Sequence, residues 1–319
     1  MRFMRVFVFV LSISILACPA GWSNEPDLID DRAFLRSATH SLRQWLVDPD
    51  HVPAAQLNEQ LVSRTHHAFD LPPSQLAGPL KPSEIYSARR DSVVGLAYLF
   101  KCPRCDDWHA SIAGGVMLTA AGIGVTNYHV IAQNKEESKA VFGIVTFHGA
   151  FHPIVEILAA SLADDLAIFR VQGAGFATAP LSTGDLPGEA VTAITHPSGN
   201  YYTVTTGIVA RNFRGRGSGP ADGRPRMAIT ADFAKGSSGA GIFNNRGELA
   251  SIATSTRSIY YSRQDGIDRN LQMVLKTTIP AAAILRLNRD QAPEPTGKAE
   301  HVSAEEVEPC PQSTQPDPR

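Results

Sequence analysis

Three short stretches carry most of the information about the fold: GIGVTNYHV at residues 122–130, DLAI at residues 165–168 and GSSGAG at residues 236–241. The first follows a strand-like Gly-Val-Met-Leu run, the second opens a strand, and the third is a glycine-rich turn ahead of a hairpin. Each stretch alone is weak evidence for a functional site, because polar residues at strand ends are usually solvated turn residues. Together they supply, in chain order, the imidazole of His129, the carboxylate of Asp165 and the hydroxyl of Ser238.

Short β-rich runs separated by turns surround these stretches. Many closely spaced strands with few long helical patterns predict an all-β sandwich or a pair of barrels. The predicted strands lie at residues 93–100, 111–119, 123–126, 140–147, 166–171, 190–195, 201–209, 227–230, 241–243, 249–253 and 271–278. A closing helix is predicted at residues 281–287, directly behind Pro280.

Residues 24–91 are predicted to form a helical region and a linker. Between residues 27 and 47 apolar side chains recur largely every three or four positions, which predicts one amphipathic helix. Docking of this helix on the domain that follows is favoured over binding of a separate partner. The pair His66-His67 has no third ligand nearby and is interpreted as surface. The prolines at 72, 73, 79 and 82 indicate the linker.

Both ends of the chain are predicted to lie outside the folded domain. Residues 1–23 have the pattern of a signal peptide, because two arginines precede an apolar run that is shorter than the roughly 20 residues of a membrane span. The mature chain is then expected to begin at Asn24 and to be periplasmic or secreted. A membrane anchor is expected only if Cys18, in an alternative lipobox, is lipidated. Residues 291–319 are predicted to be disordered.

The charge of the chain argues against nucleic acid as a partner. The 29 Lys and Arg residues against 31 Asp and Glu residues give a formal net charge of −2, which leaves no basic excess. Four cysteines are too few for a fold built on disulfides. A hydrophobic content of 43% is enough for one large core or two small ones.

The combined motifs resemble the trypsin-like serine proteases, chiefly their bacterial HtrA/Deg branch. The pattern of that family is G-x-x-x-T-N-x-H-V, then D-[ILV]-A-[LIV], then G-N-S-G-G-P, and HPSG at 196–199 and TTGIV at 205–209 are similar to further family stretches. The resemblance covers residues 92–287. It implies a protease domain at residues 92–290 made of two six-stranded antiparallel β-barrels, with the three polar side chains in the cleft between them.

The chemistry of acyl transfer requires these residue types. A serine hydroxyl is a poor nucleophile at neutral pH, so a base must take its proton during attack, a role we assign to His129. We assign to Asp165 the role of orienting that imidazole, and Asp164 is the alternative carboxylate for this role. The glycines beside Ser238 allow the N–H groups of Gly236 and Ser238 to converge on the oxyanion of a tetrahedral intermediate.

Three residues depart from the family pattern. Ala240 replaces the second glycine and Gly241 the proline, which adds crowding and loosens the turn without removing a reactive atom. Ser237 stands where chymotrypsin-like enzymes place the aspartate that binds a newly cut N-terminus, so zymogen activation of that kind is not expected. Only about thirty residues follow Leu287, so a PDZ domain is not expected.

The candidates for substrate binding are Asp232, Ala253, Thr254 and Ser255. Asp232 precedes Ser238 by the same interval as the trypsin carboxylate that binds a basic P1 side chain. Lys235 could neutralise it, so a structural role for Asp232 is favoured. The strand at residues 253–255 is expected to pair with the backbone of an extended substrate by β-augmentation.

Several other polar groups receive a structural interpretation. Cys102 and Cys105, with His109 nearby, suit a disulfide, a zinc ligand set or free thiols, and in an exported protein the disulfide is favoured. Cys310, in the predicted tail, is a thiol to which the sequence assigns no role. His196 is interpreted as a turn residue, and the arginine-rich residues 211–226 as an exposed flexible loop instead of a patch for acidic partners.

The sequence therefore predicts an exported serine endopeptidase that acts on proteins or peptides without a metal or cofactor. The alternative is a protease-like module that binds or chaperones extended peptides without cutting them. An esterase of the α/β-hydrolase type is excluded by chain order, which would be Ser, Asp, His. A monomer and a homo-oligomer are both compatible with the sequence.

Overall fold

Twelve strands form two closed antiparallel barrels in the part of the chain that the computed structural model describes, residues 28–73, 78–102, 105, 107–132, 138–215, 219–220 and 222–288. The expected pair of six-stranded barrels with an N-terminal helical extension is thereby confirmed. The predicted signal peptide at 1–23 and the predicted tail at 291–319 lie outside the described residues.

The first barrel has the strand order β1-β2-β3-β6-β5-β4. Its strands are β1 (Val93–Lys101), β2 (Trp108–Met117), β3 (Ile123–Thr126), β4 (Ser138–Val145), β5 (Phe151–Ser161) and β6 (Leu166–Val171). Leu96, Met117, Phe142 and Phe169 are fully buried in one apolar cluster. Burial of a side chain of this size contributes about 1.5–3 kcal/mol, so such residues account for much of the stability of this barrel.

The second barrel has the strand order β10-β11-β12-β9-β8-β7. Its strands are β7 (Ala190–Thr195), β8 (Thr203–Arg214), β9 (Pro225–Ile229), β10 (Gly241–Asn244), β11 (Leu249–Gln264) and β12 (Ile267–Pro280). Its own core includes Val191, Val209 and Ile242. A third cluster contains side chains of both barrels, among them Val116 and Phe243, so the two barrels share a continuous apolar interface.

One strand, β5, is absent from the sequence prediction. It contains Pro153, and its register against β6 shifts between Ile154 and Glu156 and again between Ile157 and Ala159. Each such bulge adds a residue to one strand and interrupts the alternation of inward and outward side chains. The period-two pattern that indicates a strand is therefore missing from this segment.

The arginine-rich segment at 211–226 differs from the flexible loop that the sequence suggests. β8 extends to Arg214 and β9 begins at Pro225, so the two ends of the segment belong to paired strands that residues 215–224 connect. Arg226 is buried, and its guanidinium donates to the carbonyl oxygen of Ala163 at 3.0 Å. The paired strands hold Arg211, Arg214 and Arg226 in defined positions.

Five helices are described: α1 (Asp31–Leu46), α2 (Ala54–Ser63), α3 (Pro82–Arg89), α4 (Tyr128–Ile131) and α5 (Ala282–Leu287). The predicted amphipathic helix corresponds to α1, whose Ala38 and Leu42 are buried against the first barrel. α2 and α3 are not predicted, and α3 lies within the expected linker. None of the helices in the described ranges is both long and apolar enough to cross a bilayer.

Candidate active site

The pairing of β3 with β6 brings the histidine and aspartate segments together. Thr126, the last residue of β3, lies opposite Ala167 of β6, so the residues just after β3 meet the residues just before β6. His129 follows β3 in the short helix α4, and the N–H of Tyr128 donates to the carbonyl oxygen of Asp165 at 3.1 Å. Two segments that are distant in sequence thus become neighbours through one ladder.

Asp165 accepts hydrogen bonds on both carboxylate oxygens. Nδ1 of His129 lies 2.9 Å from Oδ2 and 3.0 Å from Oδ1, and the N–H of His129 also donates to Oδ1 at 3.1 Å. The Thr254 hydroxyl donates to Oδ2 at 2.7 Å. Asp165 adopts a left-handed backbone conformation with φ of 60°, which aspartate tolerates better than most residues. These contacts orient the carboxylate toward the imidazole.

Asp164, the rival carboxylate, points elsewhere. It is buried, and its Oδ1 accepts from the Arg286 guanidinium at 2.8 Å while Oδ2 accepts from the hydroxyl of Ser161 at 3.1 Å. This aspartate joins α5 to the first barrel. The adjacent pair therefore divides between a structural carboxylate and one that faces the histidine.

The hydroxyl of Ser238 completes the cluster on the second barrel. Its Oγ lies 3.0 Å from Nε2 of His129, on the opposite side of the ring from Asp165. The carbonyl oxygen of Ser238 accepts from the N–H of Gly114 at 2.7 Å, which ties the serine loop to β2 of the first barrel. The structure thus brings His129, Asp165 and Ser238 into one hydrogen-bonded row.

The peptide between Lys235 and Gly236 is held in one orientation. The carbonyl oxygen of Lys235 accepts from the N–H of Ser198 at 2.6 Å. Because the C=O and N–H of a trans peptide point in opposite directions, the N–H of Gly236 is directed away from Ser198, toward the cleft that Gly236 and Ser238 line. No acceptor within the described part of the chain binds the N–H groups of these two residues. Both donors are therefore available to a ligand.

His196 begins the turn that supports this peptide. Its side chain is completely buried, its Nδ1 lies 3.0 Å from the N–H of Tyr202, and its Nε2 lies 3.3 Å from the carbonyl oxygen of Val94. Since a backbone N–H must donate, Nδ1 is the acceptor and Nε2 carries the proton. Burial lowers the pKa of His196 to about 4, so the ring is neutral at neutral pH. The sequence interpretation as a turn residue misses this burial.

The helix α1 braces the same turn from outside. The Asp31 carboxylate accepts from the N–H of Tyr201 at 2.9 Å. The ring of Phe34 packs 4.6 Å from the ring of Tyr201, centroid to centroid. Asp31 is an acid in the first turn of its helix, and the sequence contains no signal that it would reach the turn of the second barrel.

Lys139 is a further residue that sequence reasoning misses. Its buried ammonium donates to the carbonyl oxygens of Val130 at 2.8 Å and Ala132 at 2.9 Å, at the end of α4. A cation at a helix C-terminus is stabilising. Lys139 thereby fixes the short helix that carries His129.

The two departures near Ser238 are accommodated by the opposite barrel. Ala240 is fully buried and faces Gly114, where an added Cβ would lie 2.5 Å from the Ala240 side chain. The crowding expected from Ala240 is thus relieved by a glycine on β2. Gly239 has φ of 85°, and a Cβ there would collide with the carbonyl oxygen of Gly114, so glycine is required at that position.

The candidate substrate-binding residues fall into three environments. Ala253 is buried and exchanges backbone hydrogen bonds with the serine loop, accepting from Gly239 and donating to Ala240, both at 2.9 Å. Thr254 binds Asp165, as described above, and Ser255 is exposed. The β10–β11 ladder ends at Ile252, so no strand of the described residues covers that edge of β11 beyond it.

Asp232 does not offer its carboxylate to a buried P1 pocket. Its side chain is 80% exposed, and Oδ1 lies 3.2 Å from Nζ of Lys276. Lys276 is buried and also donates to the carbonyl oxygen of Phe233 at 2.9 Å. The neutralising cation is therefore Lys276 instead of the expected Lys235, and the structural interpretation of Asp232 agrees with this ion pair.

A cleft of about 580 Å³ runs beside Ser238 and His129. One wall is residues 110–113 of β2, and the other contains the turn at Ser198 and Gly199. Leu35 of α1 also lines it, so the N-terminal helix contributes directly to the cleft. Cys102 and Cys105 lie at the tip of the β1–β2 hairpin, and the disulfide favoured from sequence stays a prediction.

Comparison with known families agrees with this architecture. Residues 113–252 match the family model described as a trypsin-like peptidase domain, and this range contains all three residues of the hydrogen-bonded row. The chain therefore has the fold of the trypsin-like serine proteases, a class of peptide-bond hydrolases. No match was found among curated proteins.

Proposed function

We propose that this protein is a serine endopeptidase that hydrolyses peptide bonds through Ser238, His129 and Asp165. The single observation that carries the proposal is the position of the His129 ring, with Nδ1 at 2.9 Å from the Asp165 carboxylate and Nε2 at 3.0 Å from Oγ of Ser238. A base oriented by a carboxylate and in contact with a hydroxyl is the arrangement that activates serine as a nucleophile.

The reaction proceeds through an acyl-enzyme. Oγ of Ser238 attacks the carbonyl carbon while Nε2 of His129 takes its proton, and the N–H groups of Gly236 and Ser238 stabilise the resulting oxyanion. The protonated imidazole then gives the proton to the leaving amine as the C–N bond breaks. A water molecule, deprotonated by the same imidazole, attacks the acyl-enzyme and releases the carboxylic acid product. Asp165 keeps its charge throughout and stabilises the imidazolium.

The substrate class is an extended segment of a protein or peptide. Ser255 is exposed two residues beyond Ala253, which pairs with the serine loop, and no described strand pairs with that edge of β11 beyond Ile252. Such an open edge suits β-augmentation by a substrate strand. The ion pair between Asp232 and Lys276 argues against a P1 pocket specific for basic side chains. The similarity of the motifs to the HtrA/Deg branch supports the same substrate class.

Export of the protein is part of the proposal. It rests on the arginines and the apolar run within residues 1–23, and it places the mature enzyme in the periplasm or outside the cell. N-terminal sequencing of protein from cell fractions tests it. A cytoplasmic protein that keeps Met1 would contradict export without affecting the proposed chemistry.

Labelling with a fluorophosphonate tests the activity directly. The mature protein is expected to be labelled at Ser238 and to hydrolyse casein, and Ser238→Ala is expected to lose both. Ser258→Ala, which removes an exposed serine on β11, is the matched control and should behave as wild type. Unlabelled, correctly folded wild-type protein would overturn the assignment. If wild type and Ser238→Ala then protect an aggregating client equally, the protein is a peptide-binding or chaperone module instead.

A further inference from the structure

The tip of the β1–β2 hairpin brings three metal-binding side chains together. Phe100 lies opposite His109 in the ladder, and the N–H of Cys102 donates to the carbonyl oxygen of Asp107 at 2.9 Å. Because side chains alternate along a strand, Cys102 and His109 lie on the same face of the hairpin. Cys105, from the connecting turn, places its Sγ 3.0 Å from Nε2 of His109.

The spacing of these atoms suits a small tetrahedral cation. The two sulfur atoms and a ring nitrogen of His109 all lie within 4.8 Å of one another. Zinc bonds of about 2.3 Å to sulfur and about 2.0 Å to nitrogen place tetrahedral ligand atoms roughly 3.5–4 Å apart. Small side-chain rotations therefore suffice to bind the ion. The ring of Phe100, 5.8 Å from that of His109, restricts the imidazole.

We propose that Cys102, Cys105 and His109 form a Zn²⁺ site with its fourth position open to water. Two thiolates and an imidazole favour zinc over the hard cations Mg²⁺ and Ca²⁺, which select oxygen ligands. Binding replaces the two thiol protons, which pass to solvent, and no oxidation state changes. The affinity for Zn²⁺ therefore rises with pH. This inference does not depend on the proposed protease activity.

A disulfide between the same cysteines is the competing state. It would join the sulfur atoms at about 2.05 Å and would leave His109 without a role. In the structure the imidazole nitrogen of His109 faces the Cys105 sulfur, and the two sulfur atoms and a nitrogen of this ring lie within 4.8 Å of one another. These contacts favour a metal site with three ligands over a two-residue crosslink.

Zinc at this position would act on the cleft through β2. The strand continues without interruption from the hairpin tip to residues 110–113, which line the cleft beside Ser238. Arg43 of α1 also donates to the carbonyl oxygen of Trp108 at 3.0 Å. Zinc binding would therefore stiffen one wall of the cleft and the edge on which the N-terminal helix rests.

Metal titration of the mature chain, kept reduced with a phosphine, tests the site. One equivalent of Zn²⁺ is expected to bind, Co²⁺ is expected to give a thiolate-to-metal charge-transfer absorption, and hydrogen exchange in β1 and β2 is expected to slow. Cys105→Ser and His109→Gln should each weaken Zn²⁺ binding by about 100-fold or more, since loss even of an outer partner typically costs about 10–100-fold. Cys310→Ser is the matched control and should bind as wild type.

Three results would overturn the inference. They are no metal uptake by the reduced protein, Zn²⁺ binding that is unchanged in Cys105→Ser, and recovery of the exported protein as a Cys102–Cys105 disulfide that takes up no Zn²⁺ after reduction. Circular dichroism of each variant distinguishes loss of the site from loss of the fold.

Discussion

The two ends of the candidate active site are supported in different ways. At the base end, His129 and Asp165 contact each other directly through side chains, and the Thr254 hydroxyl adds a further hydrogen bond. At the oxyanion end, the N–H of Gly236 is oriented by backbone contacts that run from Lys235 through Ser198. A single side-chain substitution can therefore disable the base end, whereas the oxyanion end is sensitive to residues that shape its supporting turn.

Replacement of the orienting carboxylate should give the largest effect. Asp165→Asn is expected to lower kcat by about 10⁴-fold, because the amide no longer stabilises the imidazolium or selects the correct tautomer of His129. Kinetics with a peptide substrate measure the change. The matched control is Asp164→Asn, which removes the ion pair with Arg286 and should lower stability while leaving kcat nearly unchanged. Equal losses of kcat in the two variants would contradict the division of roles between these aspartates.

Distortion of the oxyanion loop should give the second largest effect. Gly236 has φ of 97°, and a Cβ would lie 2.7 Å from the carbonyl oxygen of His196, so Gly236→Ala must move the loop. Displacing one oxyanion donor typically lowers kcat by about 10²–10³-fold. Gly266→Ala is the control, since it has φ of 77° at the open end of the β11–β12 hairpin, where an added Cβ meets no atom within 4 Å. A normal kcat in Gly236→Ala would show that the conformation of this loop does not position the N–H group that stabilises the oxyanion.

Acidification should weaken the supporting turn at His196. The folded-state pKa of about 4 lies below the unfolded value of 6.5, so the unfolded chain binds more protons between these values. The contribution of neutral His196 to the free energy of unfolding is fully present above pH 6.5. It falls by about 3 kcal/mol as the pH drops to 4. Urea unfolding at pH 7 and pH 4.5 measures this loss, which His196→Gln should reduce. An identical pH dependence in both proteins would assign the acid sensitivity to other groups.

The contact from the N-terminal helix should have the smallest effect of the four. Asp31→Ala leaves the N–H of Tyr201 without its acceptor, which costs about 1–3 kcal/mol where the group stays buried, and part of this loss should lower kcat, by about tenfold at most. KM should change less than kcat, because the contact acts on the turn that supports Gly236. Asp31→Asn keeps an oxygen acceptor and should restore most of the rate. If Asp31→Asn does not restore the rate, the negative charge of Asp31, and not its hydrogen bond to Tyr201, is what supports kcat.

The barrels and the row of three polar side chains are the parts most accessible from sequence. Strand runs such as residues 123–126, 166–171 and 190–195 agree with β3, β6 and β7 residue for residue, because short, almost continuously buried runs with β-branched residues, bounded by turns, can be detected in a short window. β5 lacks a clear local signal because Pro153 and its bulges interrupt the strand pattern. The helix α2 packs on β4 and β5, which no local pattern reports. The helix α3 has a local start signal in Pro82 and Glu84, which the interpretation of the prolines as a linker overlooks.

The supporting contacts of the site were not accessible from sequence, although Thr254 itself is a candidate substrate-binding residue there. Lys139, Thr254 and Asp31 act through Ala132, Asp165 and Tyr201, which lie 7, 89 and 170 positions away along the chain. Each is an ordinary polar residue in its own segment. His196 has no local signal of burial, because its partners come from another barrel and from the far side of its own turn.

Local chemistry along the chain is sufficient to specify the strands, the glycine-rich turn at residues 236–241 and the order of an imidazole, a carboxylate and a hydroxyl. These depend on side-chain alternation, backbone freedom and residue type, all of which act over a few residues. Which of two adjacent aspartates faces His129, how the N–H of Gly236 is aimed, and that Cys105 lies beside His109 depend on the closure of the barrels and hairpins. Packing between distant segments sets these positions, since burial and hydrogen-bond geometry exist only once those segments meet.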